Sequence, residues 1–106
     1  MLKQTLTLLV LMVVVVVHAA AIEVLLCTGP NFMGRCDTYQ LPPSKCINFQ
    51  GKLSFWNNNV TSFRAGSSIT FYDDFKSSGE NKEFQTGSYQ SMQGFGKMAG
   101  STLLKV

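Results

Sequence analysis

Few residues of this 106-residue chain have types that could do chemistry: one histidine, three cysteines, six carboxylates and a run of three asparagines. The histidine, His18, directly follows an almost wholly apolar N-terminal stretch from Leu6 to Val17, within the segment 1–21. If that stretch is removed, no Ser-His-Asp, Cys-His or histidine-ligated metal site can be built from what remains. Asp73 and Asp74 are adjacent, and on or beside a strand their side chains point to opposite sides, so they do not share a substrate. They read as hairpin and surface residues. The asparagine run, Asn57-Asn58-Asn59, is followed by Val60-Thr61-Ser62. Asparagine tolerates turn conformations and bonds its own backbone, so the run can simply shape a loop. Asn59-Val60-Thr61 is also an N-glycosylation sequon in a secreted chain.

Secretion is what the N-terminus predicts. Lys3 supplies a positive charge, Leu8 to Val17 is unbroken apolar sequence, and Ala19-Ala20-Ala21 offers small residues for cleavage after Ala21. The rival, a membrane anchor, needs about 20 apolar residues, more than this run supplies. The expected organisation is a signal peptide over 1–21 and one domain over 22–106, secreted and extracellular, with no membrane association once the signal is gone. The chain has a formal net charge of +3, and without Lys3 this falls by one. No basic run marks a nucleic-acid or lipid-headgroup surface. Cys27, Cys36 and Cys46 would form one disulfide in an oxidising compartment, and all three pairings are open. The leftover thiol is either a buried small hydrophobe or a link to a partner chain.

The elements that must position these residues are strands. Glycine, proline, asparagine and serine recur every few residues, and the apolar runs between them are short, alternating and rich in aromatic and β-branched side chains. Strands are predicted over 23–28, 35–40, 46–49, 60–64, 68–73, 82–85 and 102–106, giving an all-β sandwich. The segment 87–100, rich in Gly, Ser, Gln and Met, reads as the least ordered part, either a connection or a contact surface. Phe49, Phe55, Trp56, Phe63, Phe71, Tyr72, Phe84, Tyr89 and Phe95 are mostly core in a domain this small, with Tyr39 and Tyr89 the more exposed aromatics.

The chain is also internally similar. Val24-Leu25-Leu26-Cys27 lines up with Ile69-Thr70-Phe71-Tyr72 at a shift of 45, which carries Gly34 onto Gly79 and Tyr39 onto Phe84. Each half reads as strand, tight turn with glycine, strand. The expected product is two Greek-key motifs, about 22–66 and 67–106, packed face to face, since one copy cannot bury its own apolar face.

These residues resemble the βγ-crystallin superfamily, whose Greek key begins aromatic, four residues, aromatic, one residue, glycine. Here the two copies read Cys27, Phe32-Met33-Gly34 and Tyr72, Ser77-Ser78-Gly79. Asn57-Asn58-Asn59-Val60-Thr61-Ser62 is similar to the family's calcium clamp of two Asn/Asp, two variable residues, Ser/Thr and Ser. The segment 27–63 looks most like small secreted fungal members. The resemblance implies that the Asn58 side chain, the Asn59 main-chain carbonyl and the Thr61 hydroxyl are the ligand candidates, with Asn57 orienting or coordinating. Calcium, a hard ion taking 6 to 8 oxygens, suits these types, and a neutral set binds it weakly. In the second half Lys97-Met98-Ala99-Gly100-Ser101-Thr102 falls on the clamp, keeping Ser101 and Thr102 but replacing the paired asparagines. One weak calcium site, with Ser101 as a contributor from the second half, is therefore expected. A glycan on Asn59 would compete with it. Two function classes follow. One is a structural or binding module, with or without one weak calcium site; the other is a secreted effector, such as an antimicrobial toxin or protease inhibitor, working through an exposed loop. Neither is an enzyme.

Overall fold

A computed structural model describes residues 20–92 and 94–105. Most of the expected signal segment, including His18, lies outside the described residues. Eight strands run in chain order: β1 (Ile22–Cys27), β2 (Cys36–Leu41), β3 (Cys46–Asn48), β4 (Ser62–Ala65), β5 (Ile69–Tyr72), β6 (Asn81–Phe84), β7 (Gly87–Tyr89) and β8 (Ser101–Leu104). They form two four-stranded sheets of order β2-β1-β4-β7 and β3-β8-β5-β6, with every pairing antiparallel. The fold is all-β, as the turn spacing predicts.

The two Greek keys, β1 to β4 and β5 to β8, interlock. Each sheet takes three strands from one key and the third strand, β3 or β7, from the other. Neither half therefore closes a sheet alone. Between the sheets lies a core supplied by alternate strand residues, Val24, Leu26, Phe63 and Ala65 facing Ile69, Phe71, Phe84 and Leu104. Phe63 is its hub. Its ring packs edge-on to Phe71 at 5.0 Å and Phe84 at 4.9 Å and stacks on Tyr89 at 5.0 Å. Full burial of each such side chain is worth about 1.5–3 kcal/mol, and each aromatic pair adds about 0.5–1.5 kcal/mol.

The two hairpins are superposable in conformation. Asn31, Phe32 and Gly34 have φ of 57°, 60° and 80°, and 45 residues on Lys76, Ser77 and Gly79 have 63°, 51° and 84°. At both glycines a Cβ would strike a tucked side chain, Thr28 in the first hairpin and Asp73 in the second. Glycine is thus required by sterics as well as by φ. Asp73 and Asp74 do lie in this second hairpin, where Asp74 Oδ1 accepts the Phe75 N–H at 2.8 Å.

Several local expectations need correction. Segment 87–100 contains an eighth strand, β7, and a short turn of helix over Phe95–Lys97 that buries Phe95. Three residues of β7, beginning Gly-Ser, are too few to display alternation. The predicted strand 60–64 starts only at Ser62, because Val60 and Thr61 still belong to the connection. Tyr39 and Tyr89 are half-buried against the core, and Phe55 is 40% exposed.

Candidate functional site

Asn57 to Thr61 lie on the connection from β3 to β4, immediately after a helical turn over Gly51–Trp56. That turn is anchored by Trp56, fully buried, whose Nε1 donates to the Tyr39 hydroxyl at 2.7 Å. Each asparagine has a local conformational role. Asn57 N–H caps the turn on the Ser54 carbonyl at 3.1 Å. Asn58 takes the left-handed conformation, φ 58°, which asparagine bears better than most residues, and its N–H bonds the Ala99 carbonyl at 2.9 Å. Asn59 is half-buried, and its Nδ2 donates to the Phe55 carbonyl at 3.2 Å. A glycan on Asn59 would be attached through that same nitrogen.

Thr61 ends the connection and Ser62 opens the fourth strand. Thr61 N–H donates to the Cys27 carbonyl, and its own carbonyl accepts from Met92 N–H, both at 2.9 Å. Ser62 is fully buried, and its Oγ donates to the Gly29 carbonyl at 2.6 Å and accepts from Phe32 N–H at 3.0 Å. It pins the first hairpin onto the sheet.

The second half repeats this arrangement and corrects the expected register. Ser101, also fully buried, has an Oγ that donates to the Asp74 carbonyl at 2.6 Å and accepts from Ser77 N–H at 3.0 Å. Gly100 N–H donates to the Tyr72 carbonyl at 2.7 Å, as Thr61 does to Cys27. Ser101 is therefore the counterpart of Ser62, not of Thr61, and its hydroxyl is committed to a hairpin instead of being offered as a calcium ligand. Gly100 takes the place of Thr61 and brings no hydroxyl. Lys97 stands four residues before Ser101, as Asn58 does before Ser62, but Lys97 ends the helical turn Phe95–Lys97 while Asn58 lies beyond its own turn in the left-handed conformation. Thr102 points into the interior and donates to the Thr70 carbonyl at 2.8 Å.

Of the predicted ligand residues, Thr61 lines a pocket of about 60 Å³ with Val60, Ser91, Met92, Gly94 and Lys97. Asn57, Asn58 and Asn59 do not line it. Ser91 and Met92 are the lining residues that sequence reasoning missed, while Lys97 is one that it puts on the second clamp. Among the described residues no three His, Cys, Asp or Glu side chains gather in a metal-holding group, and no carboxylate lines this pocket.

A disulfide joins Cys27 and Cys36, which are direct cross-strand partners on β1 and β2. It closes the first hairpin beside the carbonyl that holds Thr61. Cys46 remains a free thiol, half-buried on β3, in contact with the Ser77 hydroxyl and 3.8 Å from Asn48 Oδ1. On the outer side of the loop, the Arg35 guanidinium lies 4.0 Å over the Phe55 ring and pairs with Asp37 at 3.0 Å.

No family model and no curated protein sequence matches the chain. Solved structures do. A βγ-crystallin from Ciona intestinalis is 17% identical at a TM-score of 0.62, over 78% of this chain and 99% of that one. A βγ-crystallin from an archaeon is 22% identical at 0.61, over 79% and 98%. A βγ-crystallin domain of Abundant Perithecial Protein from Neurospora crassa, in a calcium-bound form, is 20% identical at 0.58, over 87% and 94%.

Proposed function

We propose that this chain, which has the βγ-crystallin domain fold, is a secreted structural or binding module that works without catalysis and holds calcium weakly at the Asn57–Ser62 loop. The observation that carries the structural part is the interlocked pair of Greek keys. Each is pinned by a buried serine, and among the described residues every buried side-chain polar atom has a partner. Such a core resists local opening without help from a ligand. Secretion is supported by the apolar N-terminal run and by the Cys27–Cys36 disulfide, a bond that persists in oxidising compartments.

Calcium is supported by a neighbour of the same fold that is calcium-bound and by the oxygen-bearing types Asn58, Asn59 and Thr61. The donor set fits the ion only in part. Thr61 lines a pocket that Asn58 does not line, and no carboxylate lines it. Neutral oxygens would hold calcium in the range of extracellular modules, about 10⁻⁴–10⁻³ M. Calorimetric titration of the oxidised chain with calcium tests this reading. One weak site, diminished in Thr61→Val and Asn58→Ala, supports it; a flat trace removes the calcium part and leaves the structural module.

The effector reading has one observation in its favour, the exposure of large apolar side chains such as Met33 and Met98, 65% and 40% accessible. An activity on cells or proteases that survives chelator and the Asn58→Ala change would favour it over the calcium-holding module.

A further inference from the structure

We infer that the pocket between the β3–β4 and β7–β8 connections binds a short-chain monocarboxylate, with Lys97 as its charge partner. The inference goes beyond the calcium reading and does not rest on it, since Asn57, Asn58 and Asn59 do not line this pocket. The walls come from two segments that the backbone ties together. Met92 N–H donates to the Thr61 carbonyl and Asn58 N–H to the Ala99 carbonyl, both at 2.9 Å. Within the β7–β8 segment, Phe95 N–H donates to the Met92 carbonyl at 3.1 Å and Met98 N–H to the Phe95 carbonyl at 2.8 Å. The pocket is therefore formed before any ligand arrives, and binding has little backbone to order.

The lining residue types select the ligand. Val60 and Met92, both buried, make the apolar part, Thr61 and Ser91 carry hydroxyls, and the exposed Lys97 is the one charged residue among them. Neither of the ion pairs among the described residues, Arg35–Asp37 and Lys105–Glu83, takes up its charge. A cation would meet repulsion there with no acidic side chain to offset it. A doubly charged anion would lose hydration against apolar walls with one ammonium to match it. A carboxylate on a short hydrocarbon chain fits both parts, with one negative charge for Lys97 and an apolar tail for Val60 and Met92. The volume of about 60 Å³ limits its length, because one water needs about 10–15 Å³, which leaves room for roughly four to six small groups, the size of butyrate.

The test is NMR titration of the full oxidised chain in chelator, at fixed ionic strength, with sodium butyrate, sodium acetate and butylammonium chloride. Butyrate should give saturable shifts centred on the amides of Thr61, Met92, Gly94 and Lys97, with a Kd of about 1–10 mM, the range open to a ligand of about six heavy atoms. Acetate, which lacks the hydrocarbon tail, should bind about tenfold more weakly, and butylammonium should not bind. Lys97→Gln should weaken butyrate by about fivefold or more. Lys45 is an exposed lysine between β2 and β3, so Lys45→Gln makes the same change in net charge away from the pocket and should stay within about twofold of the parent. Shifts that do not saturate, or that spread over the surface, overturn the inference. So do acetate or butylammonium binding as tightly as butyrate, Lys97→Gln within about twofold of the parent, and a Lys45→Gln loss equal to that of Lys97→Gln.

Discussion

Ser62 and Ser101 occupy the same place in the two halves of the fold, each with its hydroxyl fully buried, donating to a hairpin carbonyl at 2.6 Å and accepting a hairpin N–H at 3.0 Å. The pair converts two strand-turn-strand segments into two closed Greek keys. Replacing either serine by alanine takes the partner from a part-buried hairpin carbonyl and a hairpin N–H, at a cost of about 0.5–1.5 kcal/mol per bond. Chemical denaturation should find Ser62→Ala and Ser101→Ala destabilised by similar amounts. Calcium titration should find Ser101→Ala unchanged in affinity, because its hydroxyl serves the hairpin and not the ion.

Trp56 gives a second handle on the same loop. Its indole N–H has the Tyr39 hydroxyl as acceptor at 2.7 Å, while its ring packs edge-on to Phe55 at 5.1 Å. Tyr39→Phe keeps the ring and removes only the acceptor, so a buried donor loses its partner for about 1–3 kcal/mol. Urea unfolding followed by the fluorescence of this single tryptophan should report that loss. A change below about 0.5 kcal/mol, the range of neutral surface substitutions, would mean the bond does not hold the loop.

The disulfide makes a larger contribution on the chain-entropy account. Cys27 and Cys36 are nine residues apart, so their link constrains a short loop of the unfolded chain, worth about 2–3 kcal/mol. Thermal unfolding of Cys27→Ser/Cys36→Ser should show a melting temperature lower by about 10–20 °C. Cys46→Ser, which removes the free thiol, should leave the Cys27–Cys36 bond intact by mass spectrometry of the unreduced chain.

The fold was legible because the hairpins carry its repeat without loss. Cys27 and Tyr72, Gly34 and Gly79 lie 45 residues apart, and their backbones match. The repeat then shortens along the chain. Asn48, which pairs with Ser101, has its counterpart in Gln90, which follows the β7 strand beside Ser62, at a shift of 42. Ser62 and Ser101 are only 39 apart. Both connections after the second strand are shorter in the second half, so no constant shift reaches the fourth strand. That erosion is why the clamp pattern puts Ser101 on Thr61, while the hydrogen bonds put it on Ser62. A register error of one residue exchanges a buried pin, as at Ser62, for the half-buried position of Thr61. The strand β7 was hidden for a different reason: its stability comes from pairing Phe63 with Tyr89, a tertiary contact without a local signature.

The most direct test of the account is thermal unfolding of the oxidised chain in excess chelator and in about 10 mM calcium, roughly ten times the weakest affinity expected for an extracellular module. A domain held by its own core and disulfide should unfold cooperatively in chelator. Calcium should then add about 1.4 kcal/mol, a rise of about 6–11 °C. A chain without a cooperative transition in chelator, folding only when calcium is supplied, would contradict the account.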